Sequence, residues 1–324
     1  MHSVVDLAFA EAVESGRLNL PLPGGGRTRE RWAVLADLAG EDLSLARLAE
    51  GHADALAILA ELGEPASIAS ASAAGRRWGV WAAQPPGPAL TARRAGRSWR
   101  LDGIKQYCSG AHCVTDALVT ATAPDGNRLF AVSTADLVPV AGTWPAVGMA
   151  ASDTLDVRFD AIAAEPVGDP GGYTDRPGFA HGGAGVAACW YGGAREVGRT
   201  LLAAAAARDV GPHALAHLGA VDIALQSART ALDVAAADID ADPKDGGQLR
   251  TLRVRALVEA VGSEVVARVG RALGAGPLCH DAAHARRVAD LTVYLRQHHA
   301  ERNLAELGAL IADCDGDGGG GGSW

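Results

Sequence analysis

Near the end of the chain, Arg296-Gln297-His298-His299-Ala300-Glu301-Arg302-Asn303 is polar almost throughout, yet it lies between two apolar stretches. A helix in a packed domain keeps an apolar residue every three or four positions, so this run places titratable groups where a core or its end is expected. Two readings follow. One is a solvated break between two helices; the other is a polar site in which His298 or His299 titrates near neutral pH and passes protons.

Other chemistry-bearing patterns are weaker. Gly183-Ala184-Gly185-Val186-Ala187-Ala188 matches GxGxxA by letter, but the preceding Arg176-Pro177-Gly178-Phe179-Ala180-His181 lacks the buried-strand character that a dinucleotide fingerprint requires. The stretch reads instead as a linker entering a helix. No Walker A sequence, G-x-S-x-G elbow or H-E-x-x-H pair occurs, which leaves nucleoside triphosphatase, α/β-hydrolase and zincin chemistry without support. Asp313-x-Asp315-x-Asp317-Gly318 resembles the start of a calcium loop, but Trp324 stands twelfth, where a bidentate Glu belongs.

The elements that must position such groups fall into three textures. Leu35, Leu38, Leu45, Leu48, Leu56, Leu59 and Leu62 recur at helical spacing, interrupted by the Pro21–Gly26 loop, which predicts a short helical domain over 1–72. From 73 to 170 short runs predict an antiparallel β domain: Trp99 and Leu101, Ala117–Thr122, Arg128–Ser133, then Leu155, Val157 and Phe159. Pro124-Asp125-Gly126-Asn127 is a hairpin turn between two of them. A glycine- and proline-rich linker is expected over 168–185.

Residues 178–313 then carry helical stripes. Trp190, Ala194, Val197 and Leu201 begin the first, and Leu218, Val221, Leu225, Ala228, Leu232, Ala235 and Ile239 form the seam of the second. Leu257, Val261, Val265 and Val269 mark a third, and Val288, Leu291, Leu295, Leu304, Leu307 and Ile311 a fourth, which together predict a four-helix bundle. The glycine-rich tail 314–324 is expected to be disordered. The fold class is therefore α+β: helical segment, antiparallel β domain, four-helix bundle.

Bulk properties bound the partners. The 324 residues carry a net charge of −9, which disfavours nucleic acid and anionic membrane and favours a small-molecule partner. Five cysteines without a CxxC pair suit a reducing compartment, with neither disulfide framework nor structural zinc and no metal site. With no signal-like N-terminus and no long apolar run, a cytoplasmic protein is expected.

Specific stretches carry a resemblance. Trp99-Arg100-Leu101-Asp102-Gly103-Ile104-Lys105-Gln106-Tyr107-Cys108-Ser109-Gly110-Ala111 resembles the flavin-facing motif of the acyl-CoA dehydrogenase superfamily. Trp144-Pro145-Ala146-Val147-Gly148-Met149 with Val157-Arg158-Phe159-Asp160 is similar to its next β-domain signature, and Leu273-Gly274-Ala275-Gly276 to the loop that approaches a neighbouring subunit's FAD. The likeness spans about residues 75–312. It implies FAD as cofactor, with Tyr107 against the isoalloxazine ring, Ser109 at its N5 edge, backbone groups of Ala82 and Ala83 at the pyrimidine, and Gly274 and Gly276 in the cross-subunit loop. It also implies a homodimer or homotetramer.

Three departures from the family pattern bear on function. Pro88-Ala89-Leu90 stands where the family has G-S-D to hold a thioester ligand, and the N-terminal helical part is short. Counting on from Asp290 and Tyr294, His298 falls where the catalytic Glu stands in most members; the alternative position, near Gly182, also lacks a carboxylate, with His181 adjacent. The resemblance therefore implies α,β-dehydrogenation of a CoA- or carrier-bound acyl thioester, with His298 as base and Glu301, one helical turn on, as substitute base or orienting partner. Two alternatives stay open: a flavin-dependent monooxygenase on the same fold, and a catalytically silent subunit of a heteromer.

Overall fold

A computed structural model describes residues 3–64, 75–87, 89–96 and 98–316. Pro88 and most of the expected glycine-rich tail, 317–324, lie outside the described residues. The chain divides into two compact units, Met1–Leu22 with Ser44–Phe179, and Pro23–Leu43 with Ala180–Trp324. The N-terminal helices are thus shared out: α1 (Val4–Glu14) and nearly all of α3 (Leu43–Leu62) belong with the strands, and α2 (Thr28–Glu41) with the later helices.

The first unit is built on seven strands: β1 (Trp78–Trp81), β2 (Thr91–Ala95), β3 (Ser98–Cys108), β4 (Asp116–Ala123), β5 (Gly126–Ser133), β6 (Val138–Val140) and β7 (Leu155–Val167). They run β1-β4-β2-β3-β7-β5, and β5 pairs back onto β4, so the sheet closes on itself. Most pairings are antiparallel as expected, but β1 and β2 both meet β4 in parallel. Parallel neighbours need a long crossover, and the long β1-to-β4 connection holds β2 and β3, so local patterning gave no sign of it.

Pleat alternation sends consecutive residues to opposite faces. Phe130 meets Trp99 edge-on at 5.4 Å, while Leu129 on the other face joins Leu118, Val167 and Trp78 against Ala55, Ile58 and Leu59 of α3. With both faces covered, β4 is buried along most of its length. The expected turn is present: β4 and β5 pair up to Ala123–Gly126, Gly126 has φ +122, and Arg128 holds Asp125 at 2.8–3.1 Å.

The second unit contains α4 (Pro177–Ala207), α5 (Gly211–Ala241), α6 (Gln248–Leu273), α7 (Ala282–Tyr294) and α8 (Glu301–Gly316). The expected linker over 168–185 is shorter than the sequence suggested, because helix begins at Pro177 and absorbs the glycine-rich stretch. Its glycines serve close helix crossing. A Cβ on Gly192 would lie 2.0 Å from the Ala36 carbonyl oxygen of α2, and one on Gly193 2.7 Å from Leu43. The GxGxxA letters are therefore helix interior, and the residues directly ahead of them, from Pro177, are helix and not strand.

The seam of α5 is buried at Val221, Ala228, Leu232, Ala235 and Ile239. In α6 the buried stripe is Val254, Val258, Val261, Val265 and Val269; Leu257, expected on it, is 36% exposed because Val254 and Val258 take the core positions on either side. Asp240 of α5 closes the α2 N-terminus, accepting from the Thr28 amide at 2.9 Å and the Thr28 hydroxyl at 2.6 Å, where a carboxylate meets unpaired N–H groups. The fourth expected helix is two helices, α7 and α8, separated by a 3₁₀ turn at Leu295–Gln297 and an irregular step at 298–300. Among the described residues no helix is long and apolar enough to cross a membrane.

Candidate functional site

In the strand unit, the site residues implied by the resemblance gather at one end of β1 and β3. The Trp81 indole, 1% exposed, donates to the Ser109 carbonyl at 3.0 Å and ties the two strand ends together. Beyond Trp81 the β1–β4 ladder stops, so the backbone of Ala82, half-buried, and Ala83, exposed, lies outside it. On β3 the register slips between Lys105 and Cys108, and the extra residue is accommodated at Tyr107, whose φ is +59. A bulky side chain in the left-handed region costs about 1–2 kcal/mol. Here that strain presents a half-exposed aromatic ring, the kind of outlier found where function demands it.

Ser109, next but one, is buried. Thr154 Oγ1 donates to its hydroxyl at 3.0 Å, and Ser152 Oγ lies 2.7 Å from Thr154 Oγ1 and donates to the Met149 carbonyl at 2.7 Å. Met149 and Asp153, which shape this turn, also have positive φ. Ser152 and Thr154 escaped sequence reasoning, although their hydroxyls so close to the Gly148-Met149 turn were the available signal. Nearby, burial lowers the Lys105 ammonium to about 8; it donates to the Thr120 carbonyl and hydroxyl, both at 2.8 Å. Burial raises the Cys108 thiol far above its ordinary range, which leaves it inert.

The same unit buries a second polar group that sequence reasoning missed. Glu50 pairs with Arg47 on α3, yet desolvation, with Asp54 beside it, pushes its carboxyl up to about 7. His52 Nδ1 accepts from the Trp78 amide at 3.1 Å, and burial lowers its imidazole to about 4. Both lie among the apolar residues of α3, where a helical stripe gives no sign of polar burial.

In the helical unit, His298 lies directly after the 3₁₀ turn, with extended backbone, and is 3% exposed. The two sequence readings meet here: there is a break between helices, and the histidine in it is buried. Neither ring nitrogen has a hydrogen-bond partner among the described residues. A buried, unsatisfied polar group costs about 1–3 kcal/mol, so such a ring is a poor device for stability. Its pKa is lowered first by burial and then by Arg255, with Glu259 opposing and Arg296 and His299 adding to the depression. The ring is neutral at pH 7, with one nitrogen to donate and one to accept.

Glu301 opens α8 and is exposed, so it does not share a continuous helix with His298 and the expected one-turn spacing is lost at the break. Glu259 is engaged by Arg296 and by the Ser263 hydroxyl at 3.0 Å. His181, the residue beside the alternative base position, is buried with Nε2 3.1 Å from the Asp245 carbonyl oxygen. Gly274 ends α6 at φ +68 and Gly276 opens a short helix, Gly276–His280; a Cβ at either would meet nothing within 4 Å. Two clefts of about 1080 and 840 Å³ run along α5, and neither is lined by His298, Glu301, His181, Gly274 or Gly276.

No family model matches the sequence, and no curated protein matches it. Solved structures do. FMN-bound TdsC from Paenibacillus sp. A11-2 superposes with a TM-score of 0.80 at 19% identity, covering 94% of each chain. The methanesulfinate monooxygenase MsuC from Pseudomonas fluorescens gives 0.79 at 19%, again over 94% of each. A steroid ACAD, Tcur3481-Tcur3483, gives 0.77 at 20% over 97% of this chain and 91% of that one. The chain therefore has the acyl-CoA dehydrogenase-like fold.

Proposed function

We propose that the chain is a flavin-dependent monooxygenase acting on a small organic molecule, with His298 as its proton-handling residue. The observation that carries this reading is the buried His298 imidazole, held neutral with both nitrogens unengaged. α,β-Dehydrogenation needs a base strong enough to take a carbon-bound proton and then hold it as a cation. Burial together with Arg255 and Arg296 opposes that cation. A neutral imidazole suits the milder task of donating to, or accepting from, an oxygen atom as it is transferred.

The residues present fit the ring end of a flavin. A flavin bound there would have its pyrimidine edge held by backbone groups of Ala82 and Ala83, its isoalloxazine ring against Tyr107, and its N5 edge within reach of Ser109, which Thr154 steadies. Gly274 and Gly276, with open space beside them, would approach a neighbouring subunit's cofactor in a homodimer or homotetramer. A reduced flavin, when bound, would supply the two electrons that let one atom of molecular oxygen enter the substrate and the other leave as water. FAD is the form the resemblance implies; FMN, the ligand named for TdsC, is the first to test.

The second reading is FAD-dependent dehydrogenation of an acyl thioester, with His298 as base and Glu301 assisting. The Trp99–Ala111 motif and the likeness to a steroid ACAD favour it. Mixing the flavin-loaded protein anaerobically with a panel of acyl-CoAs separates the two. Monooxygenation predicts no bleaching of the flavin by any thioester, but oxygen uptake with a reductase, NADH and an organic substrate; bleaching by a thioester selects the dehydrogenase. A protein that binds neither FMN nor FAD is the silent subunit.

A further inference from the structure

Ser109 directly follows β3 and Thr154 directly precedes β7, just beyond the rung where Cys108 faces Leu155. Past that rung the two chains are joined by turn backbone and side chains. The Gly110 amide donates to the Ser152 carbonyl at 2.8 Å and the Ala111 amide to the Asp153 carbonyl at 3.1 Å. A single carboxylate oxygen, Asp153 Oδ2, then takes both donors of the next residue, the His112 amide at 2.8 Å and His112 Nδ1 at 2.9 Å. Asp153 does so from the left-handed region, at φ +48 and ψ +51, a conformation that persists in a non-glycine residue only where its contacts over-determine it.

The hydroxyls show what this joint controls. Thr154 Oγ1 gives its proton to Ser109 Oγ at 3.0 Å, which leaves Ser109 its own proton to donate. Among the described residues that proton has no acceptor, although Ser109 is only 8% exposed. The direction of the Ser109 hydroxyl is set by Thr154 and by the backbone of 110–112, and both lead back to Asp153. An exposed ion pair by itself contributes little. Here the same oxygen also holds a backbone amide, so the path of the chain at 112 depends on the carboxylate.

We propose that Asp153, through its double hold on His112, is the positioning residue that aims the Ser109 hydroxyl at an acceptor atom of the bound flavin. The inference rests on Ser109 meeting the flavin, as in the reading above. A carboxylate only accepts, so Nδ1 of His112 carries the proton and the ring is fixed in that tautomer. Asp153→Ala removes the acceptor for both donors, and the affinity for FMN falls about fivefold, as expected for one misdirected hydrogen bond. Asp153→Asn keeps an oxygen acceptor and a side chain that tolerates the left-handed backbone, and restores most of that affinity. Because Asp153 acts through Ser109, adding Asp153→Ala to Ser109→Ala costs no further affinity.

The test is NMR of the full chain loaded with 15N-labelled FMN, comparing the parent with Asp153→Ala, Asp153→Asn, Ser109→Ala and the double alanine variant, with FMN affinity measured on each. Hydrogen exchange of the Gly110 and Ala111 amides is followed in the same proteins without flavin. An N5 resonance that moves in Asp153→Ala in the same direction as in Ser109→Ala, returns in Asp153→Asn and moves no further in the double variant supports the proposal, together with faster exchange at 110 and 111 in Asp153→Ala. An N5 resonance moved by Ser109→Ala but not by Asp153→Ala, or additive losses in the double variant, overturns the proposal alone. An N5 resonance and affinity untouched by Ser109→Ala sink the flavin contact itself and the proposal with it. Should Asp153→Ala not fold, His112→Ala, which frees one of the two donors, must still speed exchange at 110 and 111 and shift N5; no change in either overturns the proposal.

Discussion

Lowering the pH from 7 to 4 should destabilise the strand unit through His52, and the size of the effect follows from its surroundings. The imidazole is 4% exposed, accepts the Trp78 amide at Nδ1, and is lowered from 6.5 to about 4 by burial alone. Unfolded, it takes a proton near pH 6.5; folded, it stays neutral until about 4. The unfolded state therefore binds more protons between these values, and stability falls as pH drops through that window. At ~1.4 kcal/mol per tenfold change, the loss at pH 4 is roughly 3 kcal/mol.

Glu50 acts in the opposite sense. Its raised carboxyl keeps a proton in the folded state that the unfolded state has lost, so its contribution is lost as pH rises from 4.5 through about 7. The observable is therefore the difference between the parent and His52→Asn, in which these other groups cancel. Asn supplies a side-chain oxygen for the Trp78 amide but loses the ring that meets Phe9 edge-on at 6.1 Å. At pH 7 urea unfolding should find the variant less stable by about 1–3 kcal/mol from lost packing. By pH 4 the gap should close by roughly 3 kcal/mol. A gap that is the same at both pH values refutes the reasoning.

Gly192→Ala should destabilise by about 2 kcal/mol or more, measured by urea unfolding, because its Cβ would sit 2.0 Å from the Ala36 carbonyl oxygen, a backbone atom that cannot rotate aside. Tyr107→Gly should stabilise the apoprotein by about 1 kcal/mol by relieving φ +59, and weaken flavin binding in a fluorescence titration. Thr154→Val should lower flavin affinity or the rate of flavin reoxidation, read by stopped-flow absorbance, since it removes the donor that steadies Ser109.

Where local periodicity decides structure, the sequence was legible. The α5 seam, the runs that become β3, β4, β5 and β7, and the turn at Pro124–Asn127 follow from spacing and turn chemistry. What it concealed depends on contacts between distant segments. Parallel pairing of β1 with β4 leaves no local mark. The first glycines of α4 read as a linker because what they pack against, such as Trp32 of α2 beside Gly185, lies some 150 residues away in sequence. The polar run at 296–303 read equally well as a solvated turn or a site. Its outcome, a buried imidazole in a broken helix, rests on Arg255, Trp190 and Tyr294 arriving from three elements.

The most direct test of the account is a single turnover with pre-reduced FMN under 18O2, with no reductase present, comparing the parent and His298→Gln on an organic substrate that supports oxygen uptake. The account predicts one 18O atom in the product of the parent, and a rate at least a hundredfold lower in a variant that still binds flavin, as expected for loss of the proton-handling group. Product without 18O, or an unchanged rate in His298→Gln, contradicts it.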